Sequence, residues 1–154
     1  MSEFQAYFNS ESTAWLDVLP KYQRNSVDAL LAEGKSYDEV AESWLAATVA
    51  YSTLGFGVAK SSKVFFTKVL DEMHDLLCTD RGYQEERKSV LASFKDGKAL
   101  AAASITEAIS PHVGAAAAFL SVAVVCVLSV ISKVSLGAWC QMQTERRAAT
   151  GATE

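Results

Sequence analysis

Proline and cysteine are scarce in this chain, with two and three positions among 154 residues. With so few breakers, half the positions apolar and only 21% charged, the composition excludes a disordered polypeptide and fits one folded unit with a single core. An excess of base is also missing: 14 Lys and Arg face 18 Asp and Glu, for a formal charge of -4. That balance argues against nucleic acid as a partner, because displacing counterions from phosphates needs a basic face. Two histidines, with no Ser–His–acid or Cys–His arrangement, point away from a nucleophilic enzyme, so no catalytic residue and no cofactor are expected. Phosphate-cradling glycine loops are absent too, since Gly55-Phe56-Gly57 lacks both the further glycine and a preceding strand. Cys78, Cys126 and Cys140 form neither a metal spacing nor an even-numbered framework, and a reducing compartment is the simplest expectation. The opening Met1-Ser2-Glu3-Phe4-Gln5 has no basic or apolar leader pattern, so any membrane insertion is expected to use an internal segment.

No stretch alternates apolar and polar residues with period two, and the expected fold is an all-α bundle of five to seven helices. A short helix from Ser12 to Leu19 is closed by Pro20, and a second ends near Glu33 before Gly34. Ser36-Tyr37-Asp38-Glu39 has the spacing of a capping box, the clearest helix start in the chain. The helix it opens runs into the uncharged residues 43–59, with a break expected at Leu54-Gly55-Phe56-Gly57. From Val58 to Cys78, Phe66, Val69, Leu70, Met73, Leu76 and Leu77 share one face. Two shorter helices are predicted, from Gln84 to Phe94 and from Ala99 to Ser110 before Pro111. One long element is then expected from about 112 to 147, giving a single helical domain over 1–147 and a disordered tail over 148–154.

The most informative feature lies in that last element. Between Glu107 and Lys133 there are 25 residues without a formal charge, and the 20 residues from Val113 to Ser132 have the length of a hydrocarbon core. Ten of them are Leu, Ile, Val or Phe, worth roughly -3 to -6 kcal/mol on an insertion scale, which Gly114 and the serines partly offset. Around a helix, Gly114, Ala118, Ser121, Val125, Ser129 and Ser132 form a narrow stripe suited to close helix contact. Val113, Leu120, Val124, Val127, Ile131 and Val134 form the opposite, bulky side, which faces either lipid or a protein core. On this reading Ser121→Leu damages packing more than Val124→Leu.

Two other patterns stand out in the sequence. Asp71, His74, Asp75 and Cys78 follow at i, i+3, i+4 and i+7, so one helix side carries four potential metal ligands. No second ligand-rich segment completes a site, and a solvated face with no bound metal is expected. Residues 30–45, LLAEGKSYDEVAESWL, resemble the opening of helix-turn-helix units, in which a Gly turn is followed by an S-x-x-E-V-A helix. The resemblance implies a basic or amide-rich recognition helix. Ala46, Ala47, Thr48, Val49, Ala50 and Tyr51 stand there instead, with no base before Lys60.

The expected function is therefore non-enzymatic association with, or insertion into, a membrane through residues 113–132, with 43–59 packed beside them. Small toxins, effectors and their immunity partners share this chemistry at the level of class. The alternatives are a cytoplasmic helical-bundle adaptor or homo-oligomer that buries the same helix in its core, and, more weakly, a helix-turn-helix regulator. The partner is a membrane or a protein, a second copy of the chain included. For a single span, Lys133, Arg146 and Arg147 outnumber Lys95 and Lys98 near its ends and favour a cytosolic C-terminus, with Cys78 and Cys140 on opposite sides. Trp139 would then sit at the interface.

Overall fold

A computed structural model describes residues 2–8, 12–52, 58–114 and 117–149. Among these there are eight α-helices and no strand, one helix more than the upper expectation. They are α1 (Ser2–Gln5), α2 (Lys21–Ala32), α3 (Tyr37–Ser52), α4 (Val58–Cys78), α5 (Gln84–Lys95), α6 (Lys98–Val113), α7 (Ala117–Val134) and α8 (Leu136–Ala149). Tighter 3-10 turns cover Ala6–Phe8 and Ser12–Val18. The expected break at Leu54-Gly55-Phe56-Gly57 lies outside the described residues, as do residues 150–154 of the expected tail. Ala148 and Ala149 belong to α8.

The capping box forms as its spacing predicts. The Glu39 amide donates to Ser36 Oγ at 3.1 Å, and the Ser36 amide donates to Glu39 Oε1 at 2.8 Å. Together they satisfy two of the donors that a helix start leaves open and fix the entry into α3. At the C-terminal end of α4, the Arg87 side chain reaches from α5 to the terminal carbonyls, donating to Leu76 and Asp75 oxygens at 3.0 Å each. A cation on those carbonyls complements the helix dipole and sets the turn into α5.

Pro111 does not end α6, which runs on to Val113. A proline costs one intrahelical bond, and here the loss falls in the last turn. Ile109 and Val113 are buried there, and the Gly114 amide donates to the Ser110 carbonyl at 3.0 Å. Gly114 then takes φ +88°, a left-handed cap that a residue with a Cβ resists.

The long element expected over 112–147 is likewise interrupted. Gly114 closes α6, and Ser135, at φ +90°, separates α7 from α8. Residues Leu120–Val134 and Leu136–Ala149 are bent by 114° relative to one another. Ser135 serves both helices: its amide donates to the Ile131 carbonyl at 2.7 Å, and its Oγ accepts the Ala138 amide at 3.2 Å. The hydroxyl thus caps the start of α8 and compensates a backbone conformation that costs an L-residue about 1–2 kcal/mol.

The core is arranged around α7. It packs against α3, the Ser12–Val18 turn, α6, α8 and α4, while α5 lies outside against α6. Phe4, Phe8, Trp15 and Phe94 close one end of this core in edge-to-face or tilted contacts with centroids 5.5–6.0 Å apart. The Lys98 ammonium lies 5.7 Å from the Trp15 ring and shields its outer side.

Candidate functional site

Helix α7 carries the sequence signal, and its surroundings define what that signal does in the folded chain. On the bulky side, Leu120, Val124, Val127 and Ile131 are all fully buried, and Val134 is half-buried. Val113 is buried as well, but in the last turn of α6 rather than on α7. Of the small-residue stripe, Gly114 is the α6 cap and is not on α7 at all, because its left-handed backbone ends the preceding helix. Ala118 is exposed and Ser121 half-buried, whereas Val125 and Ser129 are buried. The Ser129 hydroxyl is satisfied inside its own helix, donating to the Val125 carbonyl at 3.0 Å. Ser132 accepts the Trp15 indole N–H at 2.7 Å, tying the end of the stripe to the N-terminal turn. Near the start of α7, Ala118, Ser121 and Val125 line a cleft of about 270 Å³ with Leu19, Gln23, Ala102 and Thr106.

Both sides of α7 are therefore covered from residue 122 to 129. Among the described residues no single helix is long and apolar enough to cross a membrane; the bent pair of α7 and α8 reaches that size together, by length and composition only. At 18 residues α7 extends about 27 Å, a little short of a hydrocarbon core.

The second region is the contact between α4 and α8, which lies outside the expectations above. Cys78 and Cys140 form a disulfide with Cα atoms 5.7 Å apart. This overturns the expectation of a chain without disulfides, and it places the two cysteines side by side rather than on opposite sides of a span. Cys126, inside α7, is the free thiol. From the disulfide the two helices continue antiparallel, so that residues earlier in α4 meet residues later in α8. His74 Nε2 lies 3.1 Å from Thr144 Oγ1, and Arg147 donates to His74 Nδ1 at 2.9 Å and to Asp75 Oδ1 at 3.0 Å. Arg146 reaches Asp71 Oδ1 at 2.5 Å and Gln143 Oε1 at 2.7 Å.

The hydrogen-bond pattern fixes the histidine's state. An arginine donor at Nδ1 requires a lone pair there, so Nε2 carries the proton and donates to Thr144, whose hydroxyl donates in turn to the Cys140 carbonyl at 3.0 Å. Burial, then the Arg147 charge, lowers the His74 pKa and keeps the ring neutral. Trp139, 2% exposed, meets His74 edge-on at 6.5 Å and is a core residue of the folded chain.

The face of α4 expected to be solvated is thus covered by α8. The four potential ligands are committed elsewhere: Cys78 to sulfur, His74 at both ring nitrogens, and Asp71 and Asp75 to arginine. Among the described residues no group of three or more His, Cys, Asp and Glu is arranged to hold a metal. His112 is exposed and its ring lies tilted against Tyr83 with centroids 4.8 Å apart, and the Tyr83 hydroxyl donates to Glu72 at 2.5 Å. A signal for the α4–α8 contact does exist in the sequence: Cys140, Thr144 and Arg147 repeat in reverse the spacing of Asp71, His74 and Cys78.

No protein-family model, curated protein or solved structure matches this chain.

Proposed function

We propose that the chain is a non-enzymatic helical protein that carries an uncharged helix, α7, inside a shell of other helices and associates with a membrane by releasing it. The observation that supports this reading most is the placement of the most apolar helix at the centre of the bundle, flanked by α3, whose later residues are also uncharged. In the folded state those side chains are covered, so lipid reaches them only when the bundle opens. Lys133, Arg146 and Arg147, at and beyond the end of α7, then favour a cytosolic C-terminus. Catalysis is not part of the proposal, because the one buried histidine and its neighbouring carboxylates already serve the α4–α8 contact.

The complete cover over residues 122–129 also favours a second reading, in which the same fold is a cytoplasmic adaptor or a homo-oligomer with α7 as a permanent core. Vesicles of mixed zwitterionic and anionic phospholipid separate the two. The purified protein is incubated with them with and without a dithiol reductant, then extracted at alkaline pH. Retention in the lipid pellet under either condition is the expected result. Recovery entirely in the supernatant under both overturns the membrane reading, and sedimentation analysis of that material then tests for self-association.

A further inference from the structure

The corner at Ser135 and the α4–α8 contact bear on one another. α7 and α8 are adjacent in sequence and separated only by one non-glycine residue in a left-handed conformation. Were Ser135 to relax to the helical region, the two would join into one helix, and it is this pair that has the length and composition of a membrane span. In the folded chain α8 turns away from the α7 axis and lies against α4. Its attachments there are the Cys78–Cys140 disulfide, the Arg146 and Arg147 ion pairs with Asp71 and Asp75, and the His74–Thr144 hydrogen bond. The Gly137 amide adds a contact to Gln5 Oε1 at 3.2 Å.

We infer that the Cys78–Cys140 disulfide is a reducible clasp that holds α8 across the bundle, and that a dithiol reductant opens it and lets α7 and α8 join into one membrane-length helix. This rests on the membrane reading of α7. Cys140 is the more open of the two cysteines, Cys78 being 7% exposed, and it is the natural point of attack. A thiolate of the reductant attacks the Cys140 sulfur, the Cys78–Cys140 bond breaks, and Cys78 leaves as a thiolate that takes up a proton. The reductant's second thiolate then attacks its own sulfur in the mixed disulfide and releases Cys140 as a thiolate, which is protonated in turn. The protein disulfide gains two electrons and two protons, and the dithiol becomes a disulfide. Cys126 takes no part, since it is enclosed in α7 and unpaired.

The remaining ion pairs give the opened state a barrier, so the clasp is an enabling step and Ser135 sets how readily the corner straightens. Ser135→Gly adopts the left-handed conformation at no steric cost and keeps the corner; Ser135→Ala loses the cap and favours a continuous helix. The test is flotation with phospholipid vesicles of the full chain in three forms: oxidised, reduced with dithiothreitol, and the C78S/C140S variant. Reduced protein and the variant are expected to float at least about tenfold more than oxidised protein, with S135A floating more and S135G less than wild type under reduction. Should the double-serine variant fail to fold, the reduced wild-type protein and the Ser135 pair still decide the matter. Equal flotation of oxidised and reduced protein overturns the clasp while leaving the membrane reading intact. No flotation in any form overturns both.

Discussion

Helix α7 and the α4–α8 contact are built from opposite materials. α7 is held in place by bulk: Leu120, Val124, Val127, Leu128 and Ile131 are buried, and between Ala117 and Ser132 there is no charge for a partner to recognise. The α4–α8 contact is held by specific chemistry, with one disulfide, two arginines, two aspartates and a histidine used at both nitrogens. Burial of the first kind is non-directional and would be satisfied by lipid nearly as well as by protein. Attachment of the second kind is directional, and one reaction removes its covalent part while leaving the ion pairs in place. On the proposed reading, release of the apolar helix is governed by the polar seam beside it and not by the helix itself.

The largest effect is expected from breaking the seam's covalent bond. Removing the Cys78–Cys140 link, whose cysteines are 62 positions apart, relaxes a long closed loop in the unfolded chain and is expected to lower stability by about 4 kcal/mol in the chain-entropy treatment. Chemical denaturation of the wild-type protein with and without reductant measures it, and a change below 1 kcal/mol would show that the seam does not depend on the disulfide. Arg147→Ala comes next. It strips one donor from His74 Nδ1 and one from Asp75, groups the fold keeps half or fully buried, and should cost about 2 kcal/mol in the same assay.

Local features of this fold were legible in the sequence and long-range ones were not. The α3 start was legible because a capping box is local: four residues specify two hydrogen bonds. The inward face of α4 was legible because periodicity of Phe66, Val69, Leu70, Met73, Leu76 and Leu77 needs no knowledge of the partner helix. The disulfide was not, because spacing alone cannot say which of three cysteines meet, and a continuous helix through 112–147 would have held Cys140 away from α4. The break between α7 and α8 lies at one residue. Serine at 135 is an ordinary helix-interior residue in propensity, and only its double role as the end of one helix and the cap of the next reveals the corner. Pro111 misled in the other direction, since a proline in a final turn removes a bond that buried neighbours outweigh.

A finer comparison falls within α7 itself. The sequence suggests that Ser121→Leu is worse than Val124→Leu, but Ser121 borders the 270 Å³ cleft while Val124 is fully enclosed. Val124→Leu is therefore expected to lower stability by about 1–3 kcal/mol through overpacking, and Ser121→Leu by less. Thermal melting of the two variants reverses or confirms that order.

The smallest effect is a dependence on pH. His74 faces Arg147, Arg146, Asp71, Asp75, Thr144 and the Trp139 ring, and its pKa is lowered first by burial and then by Arg147. A folded-state pKa below the unfolded value of about 6.5 means that folding favours the neutral ring. Its contribution is fully present above the unfolded value and is lost as pH falls through the folded one. Stability is expected to decline on acidification through this range, and His74→Gln, which stays neutral, to reduce that part of the slope. An unchanged slope in the variant would assign the acid sensitivity to the carboxylates.

The most direct measurement is the distance across the corner, between probes attached without cysteine chemistry at the exposed positions Ala118 and Glu145, in oxidised and reduced protein with vesicles present. The 114° bend keeps these positions closer than a straight helix would allow, whereas joining of α7 and α8 should lengthen the separation to about 40 Å. Lengthening on reduction is the expected result. A distance that stays at its oxidised value after the Cys78–Cys140 bond is cut would contradict the release of α7 through the α4–α8 seam.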